Sequence, residues 1–345
     1  MSTSLIFPPT RDGLPLGLGG APLGNMFAPV SEEQVSALFQ AALADGCRSF
    51  DTAPHYGHGL SELRFGQQLR GHARADFALS SKVGRLLTPD PAAQRDQNGF
   101  VDGLPFSQHW DFSAPGVRRS VEDSLQRLGL AGLETVFVHD CDLANQGERY
   151  PQVLQQVLHE ALPELHALRR QGLLHHIGLG VNDVQVCLDV LRGMRADAGI
   201  DCLLLAGRYS LIDHSGLAEL LPLCQSLGVR IALGGVFNSG ILATGVRTGT
   251  ELRFNYGPAA QHWVARVAAV EGICDTYGVP LRAAALQFPL AHPAVEVVML
   301  GARQASEWQD AVAMLRHPIP SGFWQALRTA GLLPVDAPTP AGAGC

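Results

Sequence analysis

Short apolar runs return along the chain, each followed by a stretch of helical periodicity, and this alternation restricts the fold more than any other feature. The runs are PLGLG (15–19), CRSFDT (47–52), FALSSK (77–82), ETVFVH (134–139), LLHHIGLG (173–180), DCLLLAG (201–207), VRIALGG (229–235) and VEVVMLG (295–301). Strands apolar at nearly every position are buried on both faces, as in a parallel sheet whose crossovers are helices. Eight of them, with no second composition regime, point to an α/β fold, a single (β/α)8 TIM barrel spanning 1–333, with a doubly wound open sheet as the other arrangement. The 345 residues suit one such barrel or two average domains, so length does not choose. Between the runs, Ser31 is placed to cap a helix supported by Glu33 and Gln34, in which Val35, Leu38, Ala42 and Leu43 recur at helical spacing up to Gly46. Further helices are expected over 61–69, 117–128, 153–170, after Asp183, over 216–227 and 263–277, within 278–293, and after the last strand.

The barrel reading fixes positions as well as architecture. Asp51, Lys82, His139, Asn182 and Gly235 all fall at or just past the carboxyl ends of their strands, the face on which barrel enzymes build active sites. Tyr56 follows Asp51 by five residues, on the adjoining loop. Lys82 is the only lysine in the chain, every other basic residue being arginine. A compact ammonium kept at a buried strand end suits a task that a planar guanidinium cannot perform, such as lowering the pKa of a neighbouring phenol. The plainer reading is an Asp51–Lys82 ion pair that stiffens two strands, with Tyr56 a loop aromatic.

A net charge of −7 without basic clusters argues against nucleic acid or an anionic membrane surface, and leaves small molecules as partners. The seven cysteines are odd in number, form no C-x-x-C pair and lie mostly in apolar runs, so they read as reduced core residues. Without a leader-like or membrane-spanning apolar run the expected compartment is the cytoplasm. His55 and His58, and the adjacent His175 and His176, stand as surface or core histidines rather than metal ligands, since neighbours on a strand point to opposite faces; no metal is expected. No G-x-S-x-G elbow or H-E-x-x-H helix occurs, which removes hydrolase and zincin readings. Gly17-x-Gly19 lacks its third small residue, Pro22 standing there, so it is no dinucleotide fingerprint.

Residues 84–115 are too many for an ordinary connection and carry Phe100, Phe106, His109, Trp110 and Phe112. They read either as a cover that stacks on a ring substrate, Trp110 foremost, or as a loop pinned by its own aromatic cluster. Residues 1–15 read as a short, polar, Pro-rich segment that leads into the first strand, and 334–345 as a mobile Pro/Ala/Gly-rich tail.

FDTAPHYG, SSKVGR, RRSVEDSLQRLGL with VFVHD, HIGLGVN and GGVFNSGIL together resemble the aldo-keto reductases over nearly the whole chain. AGRYSLID and VFVHDCD look most like the branch that contains D-threo-aldose 1-dehydrogenase, L-fucose dehydrogenase and pyridoxal 4-dehydrogenase. The resemblance implies an NAD- or NADP-dependent oxidoreductase moving hydride between nicotinamide and a sugar or aldehyde carbon. An aldose 1-dehydrogenase comes first, with pyridoxal 4-dehydrogenase, a general aldehyde reductase, or a non-catalytic nicotinamide-binding sensor as alternatives. It implies catalytic roles for Asp51, Tyr56, Lys82 and His139. Tyr56 exchanges the proton, Lys82 paired with Asp51 brings its pKa toward working pH, and His139 orients the substrate oxygen.

The same resemblance assigns the cofactor to Gly20, Asp51, Asn182, Gly301 and the loop from Gly235 to Leu242, where backbone amides with Phe237, Asn238, Ser239 and Gly240 would run over the pyrophosphate. Tyr56, Trp110 and His139 would meet the substrate. Two departures stand out: Gly180-Val181-Asn182 and Ala206 replace the usual carboxamide-holding residues, and a glycine near Gly234 replaces the tyrosine that often stacks on nicotinamide. After the last strand, Glu307 occupies the place of an arginine that grips a 2'-phosphate in NADP-using relatives, which favours NAD, with Arg303 as a counterweight.

Overall fold

The computed structural model describes residues 5–195, 198–247 and 251–341. Leu16–Gly19, Ser49–Asp51, Ala78–Val83, Leu133–His139, Leu174–Val181, Cys202–Ala206, Arg230–Gly234 and Val295–Gly301 pair in parallel in chain order, and the last pairs with the first to close a barrel. The register sets Asp51 beside Ser80, Lys82 beside Phe137 and His139 beside Gly180, so the three chemical side chains step round one rim. Helices cross between strands as the alternation requires. Ser31 makes a full capping box with Gln34, which leaves Glu33 outside it.

The barrel interior is closed by the segment that its composition had marked only as a short, polar, Pro-rich lead into the first strand. Ile6 and Phe7 are buried with Phe137, Cys202, Leu204, Ala232, Val297 and Met299 inside the barrel. Phe7 stacks on Phe137 with ring centroids 6.3 Å apart, and its N–H donates to Glu296 Oε2 at 3.1 Å. One apolar pair was enough to plug the floor. The tail is also held at least in part: Ala337 is buried, and the Arg328 guanidinium donates to Ala337 O and Thr339 Oγ1 at 2.8 and 3.0 Å. These contacts tie Ala337 and Thr339 of the expected 334–345 tail to the last helix, and residues 342–345 lie outside the described residues.

Helix bounds shift where local chemistry intervenes. Ser113 caps Ala114–Leu128, earlier than the apolar spacing suggested, and the next crossover runs from Tyr150 to Arg170 through a π segment, Val157–Ala161. Pro163, which has no N–H to donate, follows that wide turn directly. The largest correction concerns 84–115, which is no irregular loop. Arg85–Pro89 and Phe106–Trp110 form an antiparallel hairpin that pairs Arg85 with Trp110 and Leu87 with Gln108. A second, shorter hairpin, Arg253–Phe254 with Gly257–Pro258, interrupts the loop after the seventh strand, turning through Asn255 and Tyr256 at φ 50° and 67°. No described helix is long and apolar enough to cross a membrane.

Candidate active site

The second and third strands bring Asp51 and Lys82 together. Lys82 Nζ donates to Asp51 Oδ2 at 2.6 Å and to Thr52 O at 2.8 Å, while Ser80 Oγ donates to Asp51 Oδ1 at 2.7 Å. The lysine is 1% exposed and the aspartate 3%. Burial pushes the Asp51 carboxyl up and the Lys82 ammonium down, each opposed by the partner's charge. The stem of Lys82 passes the fifth strand at Gly180, where a Cβ would stand 3.3 Å from Lys82 Cε. A neighbouring ion pair, Arg127 with the buried Glu62, holds the helix Leu60–Leu69 under the third strand, Ser81 Oγ donating to the same carboxylate.

Tyr56 arrives from the turn after the second strand, and its backbone is clamped by Gly24, where a Cβ would lie 2.4 Å from Tyr56 C. Its ring carries Lys82 Nζ at 4.7 Å from the centroid and meets the His139 ring edge to face at 6.0 Å. Among the described residues nothing hydrogen-bonds Tyr56 Oη, and the oxygen is not sealed from solvent. The phenol is held well above its ordinary pKa, by burial first and then by the negative fields of Asp51, Tyr256 and Asp140. This runs against the expectation that Lys82 brings it toward working pH. Burial leads, with Asp51 next, and both favour the neutral phenol.

His139 ends the fourth strand and is governed by Arg85 of the long hairpin. Arg85 Nη1 donates to His139 Nδ1 at 3.3 Å and to Asp140 Oδ2 at 2.7 Å. Burial, followed by the charges of Arg85 and Lys82, holds the imidazole pKa well below its ordinary value. Trp110, expected to stack on substrate, instead lies under the Arg85 guanidinium, 3.9 Å from carbon to ring centroid, and stacks on Phe112 at 5.7 Å. It reaches the site through Arg85. His55, expected as a surface or core histidine, joins the site. Its ring lies 5.9 Å from that of His139, and its Nδ1 meets Gln108 Oε1 at 2.9 Å. Arg85, His55 and Gln108 went unassigned in the sequence; the alternation F-S-Q-H-W over 106–110, which puts Phe106, Gln108 and Trp110 on one face, was the available signal.

The residues expected at the cofactor divide into those that line the rim and those that support it. Gly20 is buried, its N–H donating to Asp51 O at 2.7 Å and its carbonyl accepting from Ser61 Oγ at 2.9 Å, so it braces Asp51 from behind instead of offering a donor. Within Gly235 to Leu242 the amides of Asn238, Gly240 and Leu242 are taken by the carbonyls of Gly235 and Phe237. The Asn238 side chain is taken as well, by Ser210 Oγ and Gly207 O, and Leu242 is buried. Phe237 is half-buried and packs on the core. These three amides shape the loop, and the hydroxyl hydrogen of Ser239, whose oxygen accepts from Tyr256 N–H at 2.8 Å, is free to donate. Asn182 presents its side chain to the Tyr256 hydroxyl and its carbonyl to Arg208 Nε at 2.6 Å. Tyr256, missed in the sequence, thereby sets an aromatic ring beside the rim that lacks a tyrosine at Gly234. Gly301 ends the last strand against Pro22. Beyond it Arg303 Nη2 donates to Met26 O at 3.0 Å, and the Arg303 N–H donates to Glu307 Oε2 at 2.7 Å. A dinucleotide suits this rim: Gly234 and Gly235 put no side chain over the mouth, and no side chain caps the helix Ala305–Arg316 at Gln304, leaving amides for an anion.

Comparison with known proteins agrees with the geometry. The sequence model of the Aldo/keto reductase family matches residues 15–331. The chain is 40% identical to pyridoxal 4-dehydrogenase of Microbacterium luteolum and 35% identical to D-threo-aldose 1-dehydrogenase of a Pseudomonas species, each alignment covering 92% of this chain and 94% of the relative. Among solved structures, an aldo-keto reductase from Bacillus halodurans in holo form superposes with a TM-score of 0.69 at 21% identity, covering 94% of this chain and 93% of the other.

Proposed function

The chain belongs to the aldo/keto reductase family of NAD(P)-dependent oxidoreductases, and from that premise we propose that it is an NAD-dependent dehydrogenase acting on the hemiacetal carbon of an aldose of the L-fucose or D-threo type. The observation that carries this reading is the Tyr56 hydroxyl, unpartnered among the described residues, on a ring that packs against Lys82 of the Lys82–Asp51 pair and against His139. In oxidation the deprotonated form of Tyr56 Oη takes the proton of the hemiacetal hydroxyl, while His139 holds that oxygen by a hydrogen bond; in reduction the phenol gives the proton back. Bound nicotinamide supplies the hydride acceptor at the substrate carbon. Gly301, Arg303, Asn182, Ser239 and the amides of the last barrel crossover would hold the dinucleotide. A second reading, pyridoxal 4-dehydrogenase, is favoured by the 40% identical relative. Pyridoxal closes on its own hydroxymethyl group as a cyclic hemiacetal, so the chemistry asked of Tyr56 is the same.

The preference for NAD rests on Glu307, whose carboxylate sits on the first turn of the helix after the last strand and repels a 2'-phosphate. Following reduced-nicotinamide formation with L-fucose, D-arabinose, L-galactose and pyridoxal, using each dinucleotide, tests both parts. Turnover of none of the four removes the hemiacetal reading. For the cofactor, Glu307→Arg should move kcat/KM toward NADP by about tenfold, a change of about 1.4 kcal/mol. Glu307→Gln, which keeps an acceptor for Arg303 N–H, should move it less. A wild-type preference for NADP, or no shift in the arginine variant, overturns the role of Glu307.

A further inference from the structure

Two neutral imidazoles face the site, and the groups behind them force opposite tautomers. Behind His139, Arg85 offers only N–H donors, so Nδ1 must accept and the hydrogen must sit on Nε2. Asp140 Oδ2 stands 3.6 Å from that Nε2, beyond hydrogen-bond reach and on the side that favours a protonated nitrogen. Behind His55 the group is an amide. Gln108 Nε2 donates to the His55 carbonyl at 3.3 Å, which turns Oε1 toward His55 Nδ1 at 2.9 Å. Nδ1 must therefore carry the hydrogen, and Nε2 is left with its lone pair. Neither Nε2 has a hydrogen-bond partner among the described residues and neither is sealed from solvent. Burial, with the charge of Arg85, pushes the His55 pKa down to about 3, so the lone pair stays available at neutral pH.

We propose that His55 is a specificity-determining residue whose Nε2 accepts a hydrogen bond from a substrate hydroxyl on the atom next to the reacting carbon, while His139 Nε2–H donates to the reacting oxygen. The ring centroids of His55 and Tyr56 are 6.2 Å apart and those of His55 and His139 5.9 Å, a spacing that brackets two vicinal oxygens. A simple aldehyde offers acceptors alone and leaves the His55 lone pair unmatched. An aldose with its 2-hydroxyl supplies the donor. The inference deepens the hydride-transfer reading and rests on it.

The test compares substrates that differ only in that hydroxyl: L-fucose with 2-deoxy-L-fucose, and glycolaldehyde with acetaldehyde. Wild type should favour the hydroxylated member by about tenfold in kcat/KM, the scale of one neutral hydrogen bond. His55→Phe, which keeps an aromatic ring against Phe100, should bring the ratio to about one, the hydroxylated member losing more than the deoxy member. Gln108→Leu, which releases the tautomer without touching the outer nitrogen, should lower the ratio part of the way. No wild-type preference, or an equal loss on both members in His55→Phe, overturns the proposal and leaves the oxidoreductase reading standing. Nitrogen NMR of the imidazoles in the free enzyme gives a readout independent of turnover: His55 protonated at Nδ1 and His139 at Nε2 support the assignment, and a shared tautomer overturns it.

Discussion

The floor of the site and the hairpin that walls it are built by different rules. On the floor, Asp51, Ser80 and Lys82 project from barrel strands, are nearly inaccessible, and hold each other through bonds of 2.6 to 2.7 Å. On the wall, Arg85, Gln108 and Trp110 ride on two short antiparallel strands outside the barrel, and the last two are only half-buried. The floor fixes where a proton can be exchanged. The wall fixes the orientation and protonation of the two imidazoles, and so which substrate is held for that exchange. Changes to the floor should therefore abolish chemistry, whereas changes to the wall should redistribute it among substrates.

The sharpest way to break this division is Tyr56→Phe. The hydroxyl has no partner among the described residues, so its removal should leave the unfolding midpoint and cofactor affinity in place while turnover falls by roughly 10² to 10⁴-fold, the usual weight of general acid–base catalysis. Near-normal turnover would move the chemistry off the floor. The direction of the Tyr56 shift adds a pH test. A raised pKa keeps the phenol protonated through neutral pH, so reduction should be flat there and fall only in strong alkali. Oxidation, which needs the unprotonated oxygen, should climb about tenfold per pH unit on the acid side of that pKa. An oxidation profile level from pH 6 upward would show that the ammonium of Lys82 outweighs burial.

Lys82 comes next, because here activity and stability are expected to fall together. Lys82→Met leaves the Asp51 carboxylate buried against Ser80 alone, which should cost about 3–5 kcal/mol in denaturant unfolding along with activity. The pair Asp51→Asn with Lys82→Met removes the unpaired charge. It should regain most of that stability and stay inactive. Lys82→Arg keeps the charge but must fit a wider planar head past Gly180, and it too should be poor. An active arginine variant would reduce Lys82 to a strut.

How much of this was legible in the sequence follows the same division. The eight apolar runs carried the barrel, and strand ends carried Asp51, Lys82 and His139, because a parallel barrel leaves little freedom in where a strand finishes. Ile6–Phe7 and Ala337 escaped, since a single apolar residue or pair has no period to reveal it. The hairpin escaped because its strands mix Arg, Gln, His and Trp with apolar residues, and length read as a loop. With the hairpin went Arg85, Gln108 and the placement of His55, whose roles depend on partners more than fifty residues away. Tyr256 was hidden for the same reason: its ring reaches the rim through a turn of left-handed residues that no spacing announces. In the cofactor loop the sequence announced the glycines but not that the amides of Asn238, Gly240 and Leu242 turn back on carbonyls of the same run.

Trp110 gives the mildest test and the one that best separates wall from substrate. Its ring lies under Arg85, an arrangement worth about 1 kcal/mol, and Arg85 in turn holds His139 Nδ1 and Asp140. Were Trp110 a stacking surface for the substrate, Trp110→Ala would raise KM for ring substrates and leave kcat alone. As a positioning residue it should instead lower kcat by about fivefold on every substrate, because a loosened Arg85 no longer fixes the His139 tautomer. Trp110→Phe, which restores a ring face to the guanidinium, should recover most of the loss. The decisive comparison is with Arg85→Gln, which removes the donor array behind His139. If Trp110→Ala costs nothing further in that background, the two residues act along one line; if its effect persists undiminished, or appears in KM alone, the tryptophan touches the substrate directly and the wall carries a ring-binding face.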